Sequence, residues 1–276
     1  MVLFDELQDL MAKHSFTPQK KLSQFFCIND SLLEFMVEKA NLEKKDSVLE
    51  IGAGTGFLTK KLLEKCNVIA IEKSEVMCEV LSNKFADEIA AGKLKLICGD
   101  VLEQNFSELN ADKCVALPPY HISSKLVAKI VESKIQKAVL MLDNGFVNKL
   151  TAFEGFAEYG SLSALANLNS EINILKQNVQ GKEFFPSPGC QSAIVEMDFN
   201  RKNISSEFVL FLKELFRHKN KNLSRALKQT RPFLENELKL PKGFEKKIEA
   251  LELRDVKVNQ LEPSELLEIF KSLCSK

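Results

Sequence analysis

The run Ser47-Val48-Leu49-Glu50-Ile51-Gly52-Ala53-Gly54-Thr55-Gly56-Phe57-Leu58-Thr59 decides how the rest of the chain is read. Ser47 to Ile51 is a short apolar stretch rich in β-formers, which reads as a buried strand. Glycines at alternate positions follow, and Phe57 to Leu63 then opens a helical pattern. Glycines at a strand-to-helix turn let backbone N–H groups approach a ligand closely, with the helix N-terminus behind them. An ordinary Gly-rich turn shows the same glycines, so the segments that follow carry the decision.

The next strand, Val68-Ile69-Ala70-Ile71-Glu72, ends in an acid twenty residues after Gly52. A carboxylate there can accept both hydroxyls of a ribose, a geometry shared by nicotinamide and S-adenosylmethionine (SAM) enzymes. Leu94 to Cys98 is a third strand and runs into Gly99-Asp100; Cys114 to Leu117 is a fourth and runs into Pro118-Pro119-Tyr120. The glycines are spaced G-x-G-x-G, which departs from the G-x-G-x-x-G of the dinucleotide fingerprint. Glu50 before the first glycine, Glu72, Asp100 and the Pro-Pro-Tyr, taken in that order, point to SAM as the cofactor. Each alone suits a solvated acid or a plain turn; their agreement does not.

Strands and helices alternate from residue 47 to 142, with Lys137–Leu142 as a fifth strand. This implies an α/β fold, a Rossmann-like parallel sheet with helices on both faces. Ligands of such sheets bind beyond the carboxyl ends of the strands, where Gly52, Gly54, Gly56, Glu72, Asp100 and Leu117 to Tyr120 all fall. Ile172–Val179 and Ser192–Phe199 read as two further strands, separated by a proline-bearing segment, Phe184 to Gly189, that cannot be helix interior. Residues 3–13 and 31–42 have amphipathic helical patterns, and Phe16–Ile28 between them has no clear periodicity. After the polar stretch Asn200–Ser206 only helical patterns and turns remain. The predicted organisation is a SAM-dependent methyltransferase domain over residues 1–200 and a small all-α domain over 201–276.

A chain of 276 residues is long enough for one large core and a small second unit. Its 38 basic and 38 acidic residues balance, so the whole molecule exerts no net pull on nucleic acid. The balance is uneven along the chain: residues 201–276 hold 17 Lys/Arg against 11 Asp/Glu. That asymmetry predicts a basic face on the C-terminal part. The seven cysteines form no C-x-x-C and there are three histidines, so no metal site and no disulfide framework is expected. An odd cysteine count, an acidic N-terminus and the lack of a long apolar run predict a soluble cytoplasmic protein.

On these residues the chain resembles the ribosomal RNA adenine dimethyltransferase family of the KsgA/Dim type, over nearly its full length. Lys20-Lys21-Leu22-Ser23-Gln24-Phe25-Phe26 looks like the family's K-x-L-G-Q-x-F segment, and Glu50 to Gly56 matches its SAM loop. Glu72 and Gly99-Asp100 match its ribose and adenine contacts. Tyr159-Gly160-Ser161-Leu162-Ser163 resembles Y-G-R-L-S, and Phe185-Pro186-Ser187-Pro188…Ser192-Ala193-Ile194-Val195 resembles F-x-P-x-P…S-A-x-V. Phe216 to Leu227 looks like the basic helix of the C-terminal domain in its archaeal/eukaryotic form.

The resemblance implies methyl transfer from SAM to N6 of two adjacent adenosines near the 3′ end of small-subunit ribosomal RNA. Gln24, Phe25, Cys27, Gly52, Gly54, Gly56, Glu72, Asp100 and Leu117 are then the cofactor residues. Leu117, Pro118 and Tyr120 occupy the family's N-[LIF]-P-[YF] motif, in which the Asn side chain and a backbone carbonyl accept the amine hydrogens while the aromatic stacks on the base. Here the asparagine is replaced by Leu117. Lys20, Lys21, Arg217, Lys219, Lys221, Arg225 and Lys228 are the expected RNA contacts, although a solvated helix face is the usual reading of such a run. The partner implied is small-subunit ribosomal RNA or a pre-ribosomal small subunit, met by a monomer. A second reading keeps the same fold for a catalytically weak or inactive RNA-binding assembly factor. A third, remoter one is methylation of another amine.

Overall fold

The computed structural model describes residues 2–20, 23–200, 204–237 and 256–274. The chain divides into two compact units, Met1–Val147 with Glu171–Phe199, and Asn148–Ser170 with Asn200–Lys276. It therefore passes between units after Val147, after Ser170 and after Phe199. The division expected at residue 200 coincides with the last of these crossings and omits the other two. The reason is physical: 148–170 is a turn followed by an apolar helix, and periodicity does not say which core such a helix joins.

The first unit is built on a seven-stranded sheet in the order β4-β3-β2-β5-β6-β9-β7. These strands are β2 (Ser47–Ile51), β3 (Asn67–Glu72), β4 (Leu94–Cys98), β5 (Lys113–Ala116), β6 (Lys137–Asp143), β7 (Ser170–Val179) and β9 (Ser192–Phe199). The pairs β2–β3, β3–β4, β2–β5 and β5–β6 are parallel. The five strands between residues 47 and 143 are therefore parallel as expected, and β9, whose direction the sequence left open, runs antiparallel to β6 with Ser192 opposite Asp143. Val139 to Leu142 of β6 are wholly buried, as suits a strand covered on both faces.

Around the sheet stand α1 (Val2–Lys13), α2 (Asp30–Lys39), α3 (Phe57–Leu63), α4 (Glu75–Lys84), α5 (Ala86–Ala90) and α6 (Ser123–Glu132), with α7 (Asn144–Leu150) following β6. Two pairs of residues, β1 (Phe26–Cys27) and β8 (Phe184–Phe185), form a separate antiparallel ladder that no sequence period announced. Cys78 of α4 and Cys98 at the end of β4 lie side by side, with Cα atoms 6.0 Å apart. The cysteine spacing does not announce this pair, because it sees neither the helix nor the strand that brings the two together.

The second unit comprises α8 (Ser161–Asn169), α9 (Ser206–Leu215), α10 (Leu223–Glu237) and the last helix, α11 (Pro263–Cys274). Phe208, Phe211 and Phe270 form its aromatic core, with ring centroids 5.3 to 6.2 Å apart. Tyr159 is fully buried, packs edge-on against Phe216 and donates its hydroxyl to the Leu261 carbonyl at 3.1 Å. Among the described residues no helix is long and apolar enough to cross a membrane.

The glycine loop shows why its sequence is so restricted. Gly56 has φ +77°, and a Cβ there would lie 2.5 Å from a ring carbon of buried Phe85. Gly56→Ala therefore meets both a left-handed backbone penalty and an overpacked core, each costing about 1 kcal/mol or more. A loss of about 2 kcal/mol in urea unfolding is expected, and an unchanged midpoint would show that the loop relaxes freely.

Candidate functional site

A cavity of about 570 Å³ opens where the strand order reverses, between the carboxyl ends of β2 and β5. Switch points of this kind are where doubly wound sheets bind ligands, and the volume suits a nucleoside-sized molecule. Gln24, Phe25, Cys27, Gly52, Gly54, Glu72, Asp100 and Leu117 all line it, so eight of the nine expected cofactor residues come together. Gly56 is the exception: it lies behind the loop as the first cap of α3, where its N–H reaches the Ala53 carbonyl at 2.9 Å. Glu50, the acid before the glycines, also borders the cavity, as do Ser74, Met77, His121 and Ile122.

Glu72, at the end of β3, is nearly buried. Its Oε2 accepts the Gly54 N–H at 2.9 Å and its Oε1 accepts the Ser74 N–H at 2.8 Å. One carboxylate thus joins the glycine loop to the start of α4. Each oxygen retains a second lone pair for a further donor. Asp100, after β4, is fastened as firmly: Oδ1 accepts the Leu102 N–H and Oδ2 the Lys73 ammonium, both at 2.8 Å. Lys73 and the Leu102 amide hold the Asp100 carboxyl below its ordinary range.

Glu50 is the outlier in this cavity. It is 2 % exposed, and its Oε2 has no partner among the described residues. Burial pushes its carboxyl up to about 8, with Thr59 opposing and the Glu72 charge reinforcing. A buried carboxyl without a full set of partners is costly unless something of opposite charge joins it. SAM carries an ammonium and a sulfonium, so the orphaned acid, the two anchored acids and the cavity volume together fit that cofactor.

Gln19, Ser23, Gln24 and Phe25 from one segment and Leu117, Pro119, His121 and Ile122 from another also border the cavity. Gln24 closes the first segment by accepting the Gln19 N–H on its side chain at 2.9 Å. Ser23 has φ +54°, a left-handed backbone at the position where the resembling motif has glycine. His121 Nδ1 lies 3.2 Å from Ser23 Oγ, joining the two segments. The Cys27 thiol is buried and pushed up to about 12, which keeps it a neutral apolar filler. Lys20 is exposed, and Lys21 lies outside the described residues.

Leu117 is half-buried and packs against the hydrophobic core, and its carbonyl faces Gly52. Pro118 and Tyr120 do not border the cavity. Tyr120 opens a single 3-10 turn, Tyr120–Ile122, with its hydroxyl 2.5 Å from Ser192 Oγ and its ring 5.9 Å from that of Phe25.

The basic run belongs to the second unit and is not one helix. Arg217 lies in the 3-10 turn Phe216–His218, Lys219 and Lys221 follow in a loop, and Arg225 and Lys228 are on α10. The change of direction follows from the 3-10 turn, which ends α9 before the run is complete. Arg217 pairs with Glu214 at 3.1 Å, Lys219 donates to the carbonyls of Ala157 and Tyr159, and Lys221 donates to Gln229. Arg225 and Lys228 are exposed, three residues apart on one helical face, without an ion pair among the described residues.

Comparison with known proteins agrees with this geometry. The profile of the ribosomal RNA adenine dimethylase family matches residues 15–273. A probable ribosomal RNA small subunit methyltransferase A of Pyrococcus furiosus is 32% identical over 267 residues, covering 96% of this chain and 95% of that one. A mitochondrial ribosomal RNA small subunit methyltransferase of Arabidopsis thaliana is 33% identical over 226 residues, 78% of this chain and 58% of its own length. The crystal structure of a dimethyladenosine transferase from Plasmodium falciparum superposes with a TM-score of 0.75 at 26% identity, covering 87% of this chain and 94% of that one. The 23S rRNA methyltransferase ErmE, at 19% identity and a TM-score of 0.61, shares the fold. With a switch-point cavity fitted to SAM and a profile spanning almost the whole sequence, the chain belongs to the ribosomal RNA adenine dimethylase family, a family of SAM-dependent ribosomal RNA methyltransferases.

Proposed function

We propose that this protein transfers methyl groups from SAM to N6 of two adjacent adenosines near the 3′ end of small-subunit ribosomal RNA, acting as a monomer in the cytoplasm. The observation that carries the reading is the convergence of Glu72, Asp100, Leu117 and Pro119 on one switch-point cavity. When bound, SAM supplies a methyl group on a positively charged sulfur, ready for in-line displacement. Glu72 would hold the ribose hydroxyls through its second lone pairs, Asp100 the adenine amine, and Glu50 would face the cofactor's positive charge.

An adenine amine is a poor nucleophile because its lone pair is delocalised into the ring. Acceptors that bind its hydrogens help the nitrogen pyramidalise. In this turn the Pro119 carbonyl already accepts the Ile122 N–H at 3.1 Å, which leaves the carbonyls of Leu117 and Pro118 for the amine. Tyr120 would stack on the base once it has left its own stack, at a cost of a few kcal/mol. The missing side-chain acceptor supports a second reading, a weak or inactive enzyme retained as an RNA-binding assembly factor. A single-turnover assay with tritiated SAM and undermethylated small subunits separates the two. Label recovered as methylated adenine supports the first, and binding without label supports the second.

Within the basic run, Arg225 and Lys228 are the strongest phosphate contacts we propose, because the other three cations are already engaged within the unit. Neutralising either should reduce the slope of log affinity against log salt by roughly 0.7 to 0.9, with little change in sequence preference. Titrations of RNA at several salt concentrations read this directly. An unaltered slope in the double variant would return the run to an ordinary solvated face.

A further inference from the structure

We infer that Ser192 is a positioning residue for Tyr120: its buried hydroxyl fixes the plane of the ring that receives the target base. The inference rests on the base-stacking reading of Tyr120 given above. Tyr120 opens a single 3-10 turn whose preceding residue, Pro119, gives no side-chain cap. The turn leads straight into α6 (Ser123–Glu132), and two interactions bear on the ring itself. Phe25 lies beside it with centroids 5.9 Å apart and planes inclined by 35°. Ser192 Oγ lies 2.5 Å from the phenol oxygen.

The two contacts differ in stiffness. Phe25 belongs to the irregular segment before β1, whereas Ser192 is the first residue of β9 and is completely buried. Its backbone is locked by the β6–β9 ladder, in which Ser192 faces Asp143 and Ala193 faces Leu142, with Ala193 and Leu142 fully buried. The hydroxyl of Ser192 therefore ties the ring at the start of the 3-10 turn to a fully buried strand pair. Burial also pushes the Tyr120 phenol up to about 12, so it stays protonated and serves as a hydrogen-bond partner rather than a base. Leu117, Pro119, His121 and Ile122 border the cofactor cavity while Tyr120 and Ser192 do not. The tie thus acts on the base side of the turn and leaves the cofactor side alone.

The composition supplies a clean probe, because the chain has no tryptophan and two tyrosines. In a Tyr159→Phe background the emission comes from Tyr120 alone. A short RNA hairpin with two adjacent adenosines in its loop should quench that emission on stacking. Ser192→Ala is expected to shift the half-quenching concentration upward by about three- to tenfold and to slow single-turnover methylation by a similar factor. SAM affinity, measured by calorimetry, should not move. Tyr120→Phe removes the same bond from the other end, so it should slow methylation equally, and the double variant should be no slower than either single one. Wild-type rates in Tyr120→Phe, or losses that multiply in the double variant, would overturn the inference even if Ser192→Ala folded poorly. If Tyr120→Ala leaves RNA affinity and rate unchanged, the stacking reading itself fails. If Tyr120→Ala is harmful and Tyr120→Phe and Ser192→Ala are not, only the positioning role fails.

Discussion

Replacing Glu50 by glutamine should stabilise the protein at pH 8 and leave it nearly unchanged at pH 4.5. The Glu50 carboxyl sits at about 8 in the folded chain against an ordinary value of 4.5, with burial as the main cause. Between those values the folded state holds a proton that the unfolded state has released. Stability therefore falls as pH rises through that window, by about 1.4 kcal/mol per pH unit, and levels off above 8. A window of about 3.5 units sets an upper bound of roughly 5 kcal/mol on what Glu50 takes from the protein at alkaline pH. Below 4.5 both states are protonated and the penalty vanishes. Glutamine carries no charge to desolvate, and the Thr59 hydroxyl beside it can accept from its amide. Urea unfolding at pH 5, 6.5 and 8 measures the difference. Parallel profiles for the two proteins would mean that Glu50 is ionised in the fold and satisfied in another way.

Leu117→Asn is expected to raise the rate of methyl transfer by on the order of 10- to 100-fold, in the chemical step. The substitution restores one side-chain acceptor, and one hydrogen bond to a buried donor is worth roughly 1–3 kcal/mol, or about one to two decades in rate. SAM affinity should change little, since Glu72 and Asp100 hold the cofactor end. The gain is reduced by the apolar contact Leu117 makes with the core, which asparagine does not replace. Tyr120→Ala in either background should remove stacking worth roughly 1–3 kcal/mol. Single-turnover rates at saturating SAM decide the matter. A wild-type protein already faster than its asparagine variant would sink the weakened-enzyme account, and inactivity in both forms with RNA still bound would favour the assembly factor.

Much of the sheet and most of the cofactor cavity were legible in the sequence, because buried parallel strands are continuous apolar runs and their carboxyl ends are marked by Gly52, Glu72, Asp100 and Leu117. What escaped lacked a period. β1 and β8 are two residues each, too short for alternation, and their pairing joins residues far apart in the chain. Residues 148–170 hold a turn and the apolar helix α8, whose pattern does not say which core it joins, so their place in the second unit was hidden. The Cys78–Cys98 pair depends on a helix lying beside a strand end. Glu50 was visible as the acid before the glycines, but its burial was not. The basic run looked like one helix because Arg and Lys favour helices, and the 3-10 turn at Phe216–His218 is invisible to propensity.

The threefold passage of the chain between its two units has a consequence for modularity. A fragment starting at residue 200 keeps Phe216 and Leu261 but loses Tyr159, the buried ring that packs on one and bonds to the other. The helical unit is therefore not a detachable tail, and its excision or exchange between relatives requires two grafts rather than one cut. The sheet unit carries the reciprocal debt: during synthesis β6 emerges before 148–170 and must wait for β9 to close its open side. A chain halted between residues 170 and 192 would present a bare strand edge that is apolar from Ala138 to Leu142, and so its yield as soluble protein should drop where a halt after residue 199 spares it.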